Sequence, residues 1–158
     1  MAEVLILDLK KNSTDYLKVV EDVVKMEKKI FPKHESMSRS FDDELSKRNA
    51  GLLYAHFNGE VVGYAMYSWP SSLLAVITKL AVKDKYRGRG YGEALLKAAI
   101  SKCRARNIQR ISLHVDPSRK PAVNLYQKLG FRIDSTVEKY YSADRDAYRM
   151  YLDLDIDD

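Results

Sequence analysis

The sequence predicts an α/β domain: a mixed sheet of about seven strands with helices on both faces, in the order β-α-α-β-β-β-α-β-α-β-β. Three observations carry that expectation. Short apolar runs rich in β-branched and aromatic residues recur between stretches with helical spacing. One strong hairpin signal, Asn58-Gly59, separates two such runs, and three glycines, Gly88, Gly90 and Gly92, open a segment of helix composition.

Each element has its own signal. Residues 3–9 alternate and are few, the pattern of a first strand. Over about 14–30, Leu17, Val20, Val24 and, with drift, Met26 and Ile30 fall near helical spacing, with Ser13 or Thr14 placed to cap. Phe31-Pro32 interrupts that helix, and Ser38-Arg39-Ser40 ahead of Phe41 and Leu45 signals a short second one. Residues 52–57 and 61–69 flank the Asn58-Gly59 turn, and 73–82 supply a further strand. Residues 90–106 have helix composition and 109–115 read as strand. Ser118 can cap a helix over about 120–129, with Gly130 where a helix-terminating glycine belongs. Two last strands are expected over 131–138 and 147–154.

A length of 158 residues fits one domain spanning 1–158, large enough for a core without disulfides. With 46% apolar and 31% charged residues and only 7 Gly and 4 Pro, disordered and low-complexity classes are excluded. No apolar run approaches the roughly 18 residues of a membrane span, and the first residues carry acids where a secretory signal is basic. A cytoplasmic protein that touches no membrane is expected, a nuclear location being left open. Cys103 stands alone and no Cys or His pair has zinc spacing, so no metal site is expected. Four of the 22 acids fall in an acidic tail from about 153, leaving 18 acids against 27 basic residues before it, a net +9 that attracts anions.

The segment richest in chemistry is residues 75–96, where a strand ends in Lys83-Asp84-Lys85-Tyr86 and continues as Arg87-Gly88-Arg89-Gly90-Tyr91-Gly92 into a helix. Glycines there let backbone approach an anion closely, and the unpaired N–H groups with the positive end of the helix dipole cradle a pyrophosphate. The frame of a Walker loop is missing, and the spacing is not the Gly-x-Gly-x-x-Gly of dinucleotide folds. The competing reading is a glycine-rich turn with solvated basic flanks.

Arg87-x-x-Gly90-x-Gly92 after a strand, with Asn124-Leu125-Tyr126-Gln127-Lys128-Leu129-Gly130-Phe131 about 35 residues on, resembles the acetyl-CoA-dependent GNAT N-acetyltransferases over nearly the whole chain. Four stretches bring the resemblance closest to protein N-terminal (N-alpha) acetyltransferases, both the eukaryotic catalytic subunits and the bacterial ribosomal-protein alanine acetyltransferase. They are Ile30-Phe31-Pro32, Thr78-Lys79-Leu80-Ala81-Val82, Ser112-Leu113-His114-Val115, and Tyr140-Tyr141 followed by Asp146-Ala147-Tyr148.

That resemblance implies the GNAT fold and direct attack of an amine on the acetyl-CoA thioester in a ternary complex. By resemblance, the backbone of Leu80, Ala81 and Val82 supplies the oxyanion donor and pantetheine contacts. Arg87, Gly88, Arg89, Gly90, Tyr91 and Gly92 hold the pyrophosphate, with Asn124 and Tyr126 also on the cofactor side. Tyr126 matches the general acid near the CoA sulfur; the competing reading is a core aromatic, since Ala122, Leu125, Tyr126 and Leu129 make one apolar face. His114 matches a general base acting through water, and strand parity sets it with Ser112, opposite Ile111, Leu113 and Val115. A structural strand histidine is the competing reading there, and His34 and His56 have weaker claims. Tyr140 and Tyr141 match a loop closing over a peptide N-terminus, Phe31 and Pro32 match the opposite wall, and Glu138 is a nearby carboxylate that could orient the amine, with a solvated strand-end acid as the stronger competing reading. Without the resemblance, two adjacent tyrosines read as interfacial aromatics.

The chain departs from the family at three points: Ser118-Arg119 replaces a Ser-Asn, Val76 stands where some relatives have tyrosine, and Lys33 stands where one group carries a catalytic glutamate. Acceptor type follows from ionisation. An α-amine with pKa about 7.7 is roughly a third neutral near pH 7.4, a lysine with pKa about 10.4 only about 0.1%. A peptide or protein N-terminus is therefore the expected partner, with an auxiliary subunit or the ribosome as further ones. A polyamine, an arylalkylamine or a lysine is the enzymatic alternative, and a basic nucleic-acid or acidic-protein binding module the non-enzymatic one. Nucleic acid is not the expected partner, because an Arg-Gly patch of that kind belongs in a disordered tract.

Overall fold

The computed structural model describes residues 4–31 and 48–154. The short helix expected after Ser38, the wall residue Pro32, His34 and the end of the acidic tail lie outside the described residues. The elements are β1 (Leu5–Asp8), α1 (Tyr16–Ile30), β2 (Ala50–Phe57), β3 (Glu60–Ser68), β4 (Leu74–Val82), a single 3-10 turn (Asp84–Tyr86), α2 (Tyr91–Ala105), β5 (Arg110–Val115), α3 (Lys120–Lys128), β6 (Arg132–Ser142) and β7 (Arg145–Asp153). They build one seven-stranded sheet in the order β1-β2-β3-β4-β5-β7-β6. Every neighbouring pair is antiparallel except β4 and β5, which run parallel with α2 as their crossover.

Period and parity sort the side chains into two cores. α1 buries Val19, Val23 and Met26 against Leu52, Tyr54, Val61, Tyr64, Met66 and Ala81 on one face of the sheet. On the other face α2 buries Leu95, Leu96, Ala99, Ile100 and Cys103, and α3 adds Val123 and Tyr126. The helical spacing expected for α1 holds, but its phase differs: Leu17 is 80% exposed, while the sheet-facing stripe starts at Val19. Neither Ser13 nor Thr14 caps that helix; the capping position is Asp15, and the Ser13 hydroxyl accepts the Asp15 N–H instead, at 3.2 Å. Glu27, 0% exposed within α1, accepts a hydrogen bond from the equally buried Tyr64 hydroxyl on β3. That bond offsets the desolvation of a carboxylate.

The turn chemistry read from sequence is present. Asn58 and Gly59 both have positive φ, 49° and 81°, the left-handed pair that a tight hairpin requires. The last hairpin differs from expectation. β6 does not stop at residue 138 but runs to Ser142, and β7 begins at Arg145. Register passes from Val137↔Ala147 to Ser142↔Arg145, so four residues, 138–141, span the space of one, and Tyr140-Tyr141 bulges from the ladder. Lys139, at φ 55°, gives its N–H to the Asp146 carboxylate at 2.9 Å.

Candidate active site

The site is created where the central sheet splits. β4 and β5 pair only from Leu74↔Arg110 to Ile77↔Leu113, and beyond that the strands diverge into a wedge. Thr78 lies at the branch point. Ile77 faces Tyr67 on β3 and Lys79 faces Met66, so Thr78 is an extra residue, a β-bulge, and its hydroxyl donates to the Met66 carbonyl at 3.0 Å.

One inserted residue reverses the parity of the rest of β4. Before it, Ala75 and Ile77 enter the core beneath α2; after it, Leu80 and Val82 pack on that side and Ala81 turns toward α1. The backbone follows. Lys83 N–H bonds Val62 C=O at 2.8 Å, so by ladder alternation the amides of Leu80 and Val82 point away from β3 and into the wedge.

The wedge opens into a cleft of about 580 Å3. Its floor is the β4 stretch Val76, Ile77, Thr78, Lys79 and Leu80; the opposite side is His114, Val115 and Asp116 from β5 and its exit, with Arg119, Ala122 and Tyr126 from α3. Phe31, Tyr140 and Tyr141 close its outer end. The structure thus brings Leu80, His114, Tyr126, Phe31, Tyr140 and Tyr141, six residues chosen from sequence, around one space. Glu138 does not join them: it sits exposed on the edge strand β6 and is absent from the cleft lining, because the bulge after it carries only the tyrosines inward. Asn124 is on the exposed face of α3 and His56 stands apart on β2.

Tyr126 combines the two readings offered for it. Its ring is 7% exposed and packs edge-on against Phe131 with centroids 5.8 Å apart, yet it lines the cleft, and among the described residues none hydrogen-bonds its hydroxyl. Burial pushes the phenol up to about 12 despite the Arg119 charge, so it stays protonated across the neutral range. His114 is held below its usual range, first by burial and then by the Arg149 charge. Tyr140 lies flat on the His114 ring, centroids 4.3 Å apart and planes 7° from parallel, and Tyr141 meets Tyr140 edge-on at 4.8 Å. A neutral imidazole and a protonated phenol therefore share one cleft, a base and an acid.

The glycine loop follows directly from the far end of β4. Gly88 and Gly90 adopt φ 78° and 85°, conformations side chains resist, and Gly90 is the residue from which α2 starts. Gly92 does not: a Cβ there would make ordinary contacts, 3.6 Å to Leu125 and 3.7 Å to Val82. The first α2 bond is Ala94 N–H to Gly90 C=O, and the amides of 88–93 donate to no other group among the described residues. Arg87 is fastened by Nε to the Val82 carbonyl at 3.0 Å and by its guanidinium to Asp84 at 2.8 Å, and the Arg89 guanidinium lies 5.2 Å from the Tyr86 ring centroid. Open amides at a helix start among Lys83, Lys85, Arg87 and Arg89 fit a pyrophosphate.

Several cleft residues were given no role of their own from the sequence. Lys79 places its ammonium 3.8 Å over the Phe31 ring and Arg119 its guanidinium 5.1 Å from the same ring, so Phe31 bridges the two walls. Asp116 was missed because its role depends on a distant partner. Ser118 was expected to cap α3; instead its N–H and hydroxyl both donate to Asp116 Oδ1, at 2.9 and 2.8 Å, and Arg119 takes the capping position without a side-chain cap. Burial alone would raise the Asp116 carboxyl, but these bonds and Arg145 hold it below the usual range.

Comparison with known proteins gives a consistent picture. Residues 20–131 match the family described as the acetyltransferase (GNAT) family. The chain is 32% identical over 147 residues to an N-alpha-acetyltransferase of Sulfurisphaera tokodaii, spanning 85% of this chain and 87% of that protein. It is 32% identical over 144 residues to the N-alpha-acetyltransferase daf-31 of Caenorhabditis elegans, spanning 85% and 79% respectively. Its fold superposes on the crystal structure of the ribosomal-protein-S18-alanine N-acetyltransferase from Escherichia coli with a TM-score of 0.82 at 23% identity, over 99% of this chain and 97% of that one.

Proposed function

The chain belongs to the acetyltransferase (GNAT) family, and on that premise we propose that it is a single catalytic domain moving an acetyl group from acetyl-CoA to the α-amine of a peptide or protein N-terminus. The observation that carries this reading is the wedge itself, where backbone donors, a neutral imidazole and a protonated phenol face one space between a pyrophosphate-sized amide cradle and an aromatic wall.

Acetyl-CoA supplies the activated carbonyl. In this reading the amides of 88–93 hold its pyrophosphate, and the amide of Leu80, aimed into the wedge, donates to the carbonyl oxygen as negative charge builds there. Val82 keeps its carbonyl on Arg87, which ties the donor strand to the phosphate loop. His114, neutral at pH 7, takes the ammonium proton through a water; Tyr126 hands its proton to the departing sulfur. Transfer is direct. Cys103 offers no route through an acetylated enzyme, because it lies on the buried face of α2 and burial pushes its thiol up to about 11.

The amine follows from the base. One imidazole suffices for an α-amine, already partly neutral near pH 7.4, and is a weak match for a lysine. Two relatives named N-alpha-acetyltransferase support the same acceptor, and the similarity to an enzyme named for a ribosomal protein makes ribosomal N-termini candidates worth including. No helix among the described residues is long and apolar enough to cross a membrane. The test is to incubate the protein with acetyl-CoA and a library of N-terminal peptides and follow CoA release. α-Amine acetylation at pH 7.5 is expected; faster turnover of spermidine or of a lysine side chain than of every peptide would overturn the acceptor assignment and leave only the family.

A further inference from the structure

The acceptor wall is built on a part of the sheet that has lost its ladder. Between Val137 and Ser142 the pairing of β6 with β7 skips, so Tyr140 and Tyr141 are not held by regular cross-strand bonds. On the inner side of the hairpin, Arg145 opens β7 and reaches across to β5: its Nη2 and Nε donate to Asp116 Oδ2 at 2.6 and 3.0 Å, and its guanidinium carbon lies 4.9 Å from the Tyr141 ring centroid. Asp116 is well placed to receive it. It leaves β5 two residues after His114, it is buried to 9% exposure, and its other oxygen is taken up by Ser118.

These contacts close a ring. His114 stacks on Tyr140, Tyr140 meets Tyr141, Tyr141 lies under Arg145, Arg145 holds Asp116, and the β5 backbone returns from Asp116 to His114. Every link but one is an aromatic contact or a stretch of strand. The exception is a charge-assisted, directional pair whose side chains are 25% and 12% exposed, placed beyond the point where the backbone pairing of β5 with β7 ends at Val115↔Tyr148. We infer that the Asp116–Arg145 ion pair is a latch that positions the acceptor wall and, through Tyr140, the ring of His114. Both oxygens of Asp116 are engaged by Ser118 and Arg145, so the pair acts through the wall it holds and both are positioning residues. The inference rests on the proposal that the amine enters between His114 and the tyrosine pair.

Two variants and two readouts test it. Arg145→Gln removes the charge, and Asp116→Asn weakens the pair while keeping an acceptor for Ser118. Each is expected to raise the KM of an N-terminal peptide by about tenfold while the KM of acetyl-CoA stays within about twofold, a split that loss of general stability would not produce. Arg145→Lys, which keeps the charge but loses the two-nitrogen fork and the stacking on Tyr141, should recover part of the peptide KM and no more. The second readout needs no acceptor: NMR signals of the His114 ring protons, displaced in the wild type by the Tyr140 ring face, should move toward those of a free histidine in Arg145→Gln. His114 signals unmoved in a folded Arg145→Gln protein, or both KM values rising together, would overturn the latch. If the wild type acetylates no peptide, the acceptor proposal falls while the NMR comparison still decides the latch. If Arg145→Gln fails to fold, the same spectra on Arg145→Lys and Asp116→Asn decide it.

Discussion

His114 and Arg149 stand opposite one another across the β5–β7 pair, and the arginine's charge adds to burial in keeping the imidazole below its usual range. The pair has a consequence for pH. With the folded value lowered, the imidazolium is the form that the fold disfavours, so His114 is neutral and able to accept a proton at pH 7, and this capacity is lost as pH falls below its ordinary range near 6.5.

Arg149→Gln should move that limb of the kcat/KM profile upward, toward the value of an exposed histidine, because a positive neighbour no longer opposes protonation. Arg149 is exposed, so the shift should shrink with added salt. His114→Ala should remove this limb and lower the rate while leaving the α-amine limb near 7.7 in place. A pH profile unchanged by both substitutions would remove His114 from the reaction.

Tyr126→Phe keeps the ring against Phe131 and removes only the hydroxyl that faces the cleft. kcat should fall on the order of 10- to 1000-fold with acetyl-CoA affinity little changed, as loss of a transition-state proton donor requires. Steady-state kinetics with calorimetry would check it, and a kcat within twofold of wild type would make Tyr126 a core residue only.

The three loop glycines should separate by conformation. Gly90→Ala forces a side chain into φ 85° at the start of α2, at a cost of about 1 to 2 kcal/mol, and should weaken acetyl-CoA binding; Gly90→Glu should abolish it by adding negative charge. Gly92→Ala should leave thermal stability unchanged, because its Cβ has room. A Gly90→Ala protein that matches wild type in both Tm and acetyl-CoA affinity would contradict the loop's assignment.

Beneath α1, Tyr64→Phe strips the Glu27 carboxylate of a buried donor. A loss of about 1.5 to 3 kcal/mol is expected from urea unfolding, the usual range for a hydrogen bond to a charged group. No change in midpoint would mean that Glu27 is satisfied without Tyr64.

What the sequence made legible was local. Asn58-Gly59 dictates its turn by backbone preference, the alternation from Ile111 to Val115 sets His114 on its own face, and Gly90 starts a helix with a conformation few residues adopt. What escaped was relational. Val20, Val24, Met26 and Ile30 do pack on the sheet as their period requires, but the centre of the stripe depends on which residues the sheet presents, and it fell on Val19 and Val23 and left Leu17 outside. Thr78 is a bulge only by reference to Met66 and Tyr67 on another strand. Asp116 and Arg145 lie 29 positions apart, and their pairing needs the hairpin already folded back on β5. Glu138 was drawn in by nearness to the tyrosines along the chain, a nearness that the irregular register of β6 cancels.

The bulge at Thr78 also bears on how such a chain can change over generations. Past it, the wedge is served by the main chain of Leu80 and Val82, while the side chains of Lys79 and Ala81 look toward α1 and Phe31. A main-chain amide survives almost any replacement of its side chain. In the proposed reaction, mutation along this strand is therefore free to retune which amine is welcomed on one side without erasing the donor on the other. Deleting the single residue Thr78 would, by contrast, exchange the two sides at a stroke.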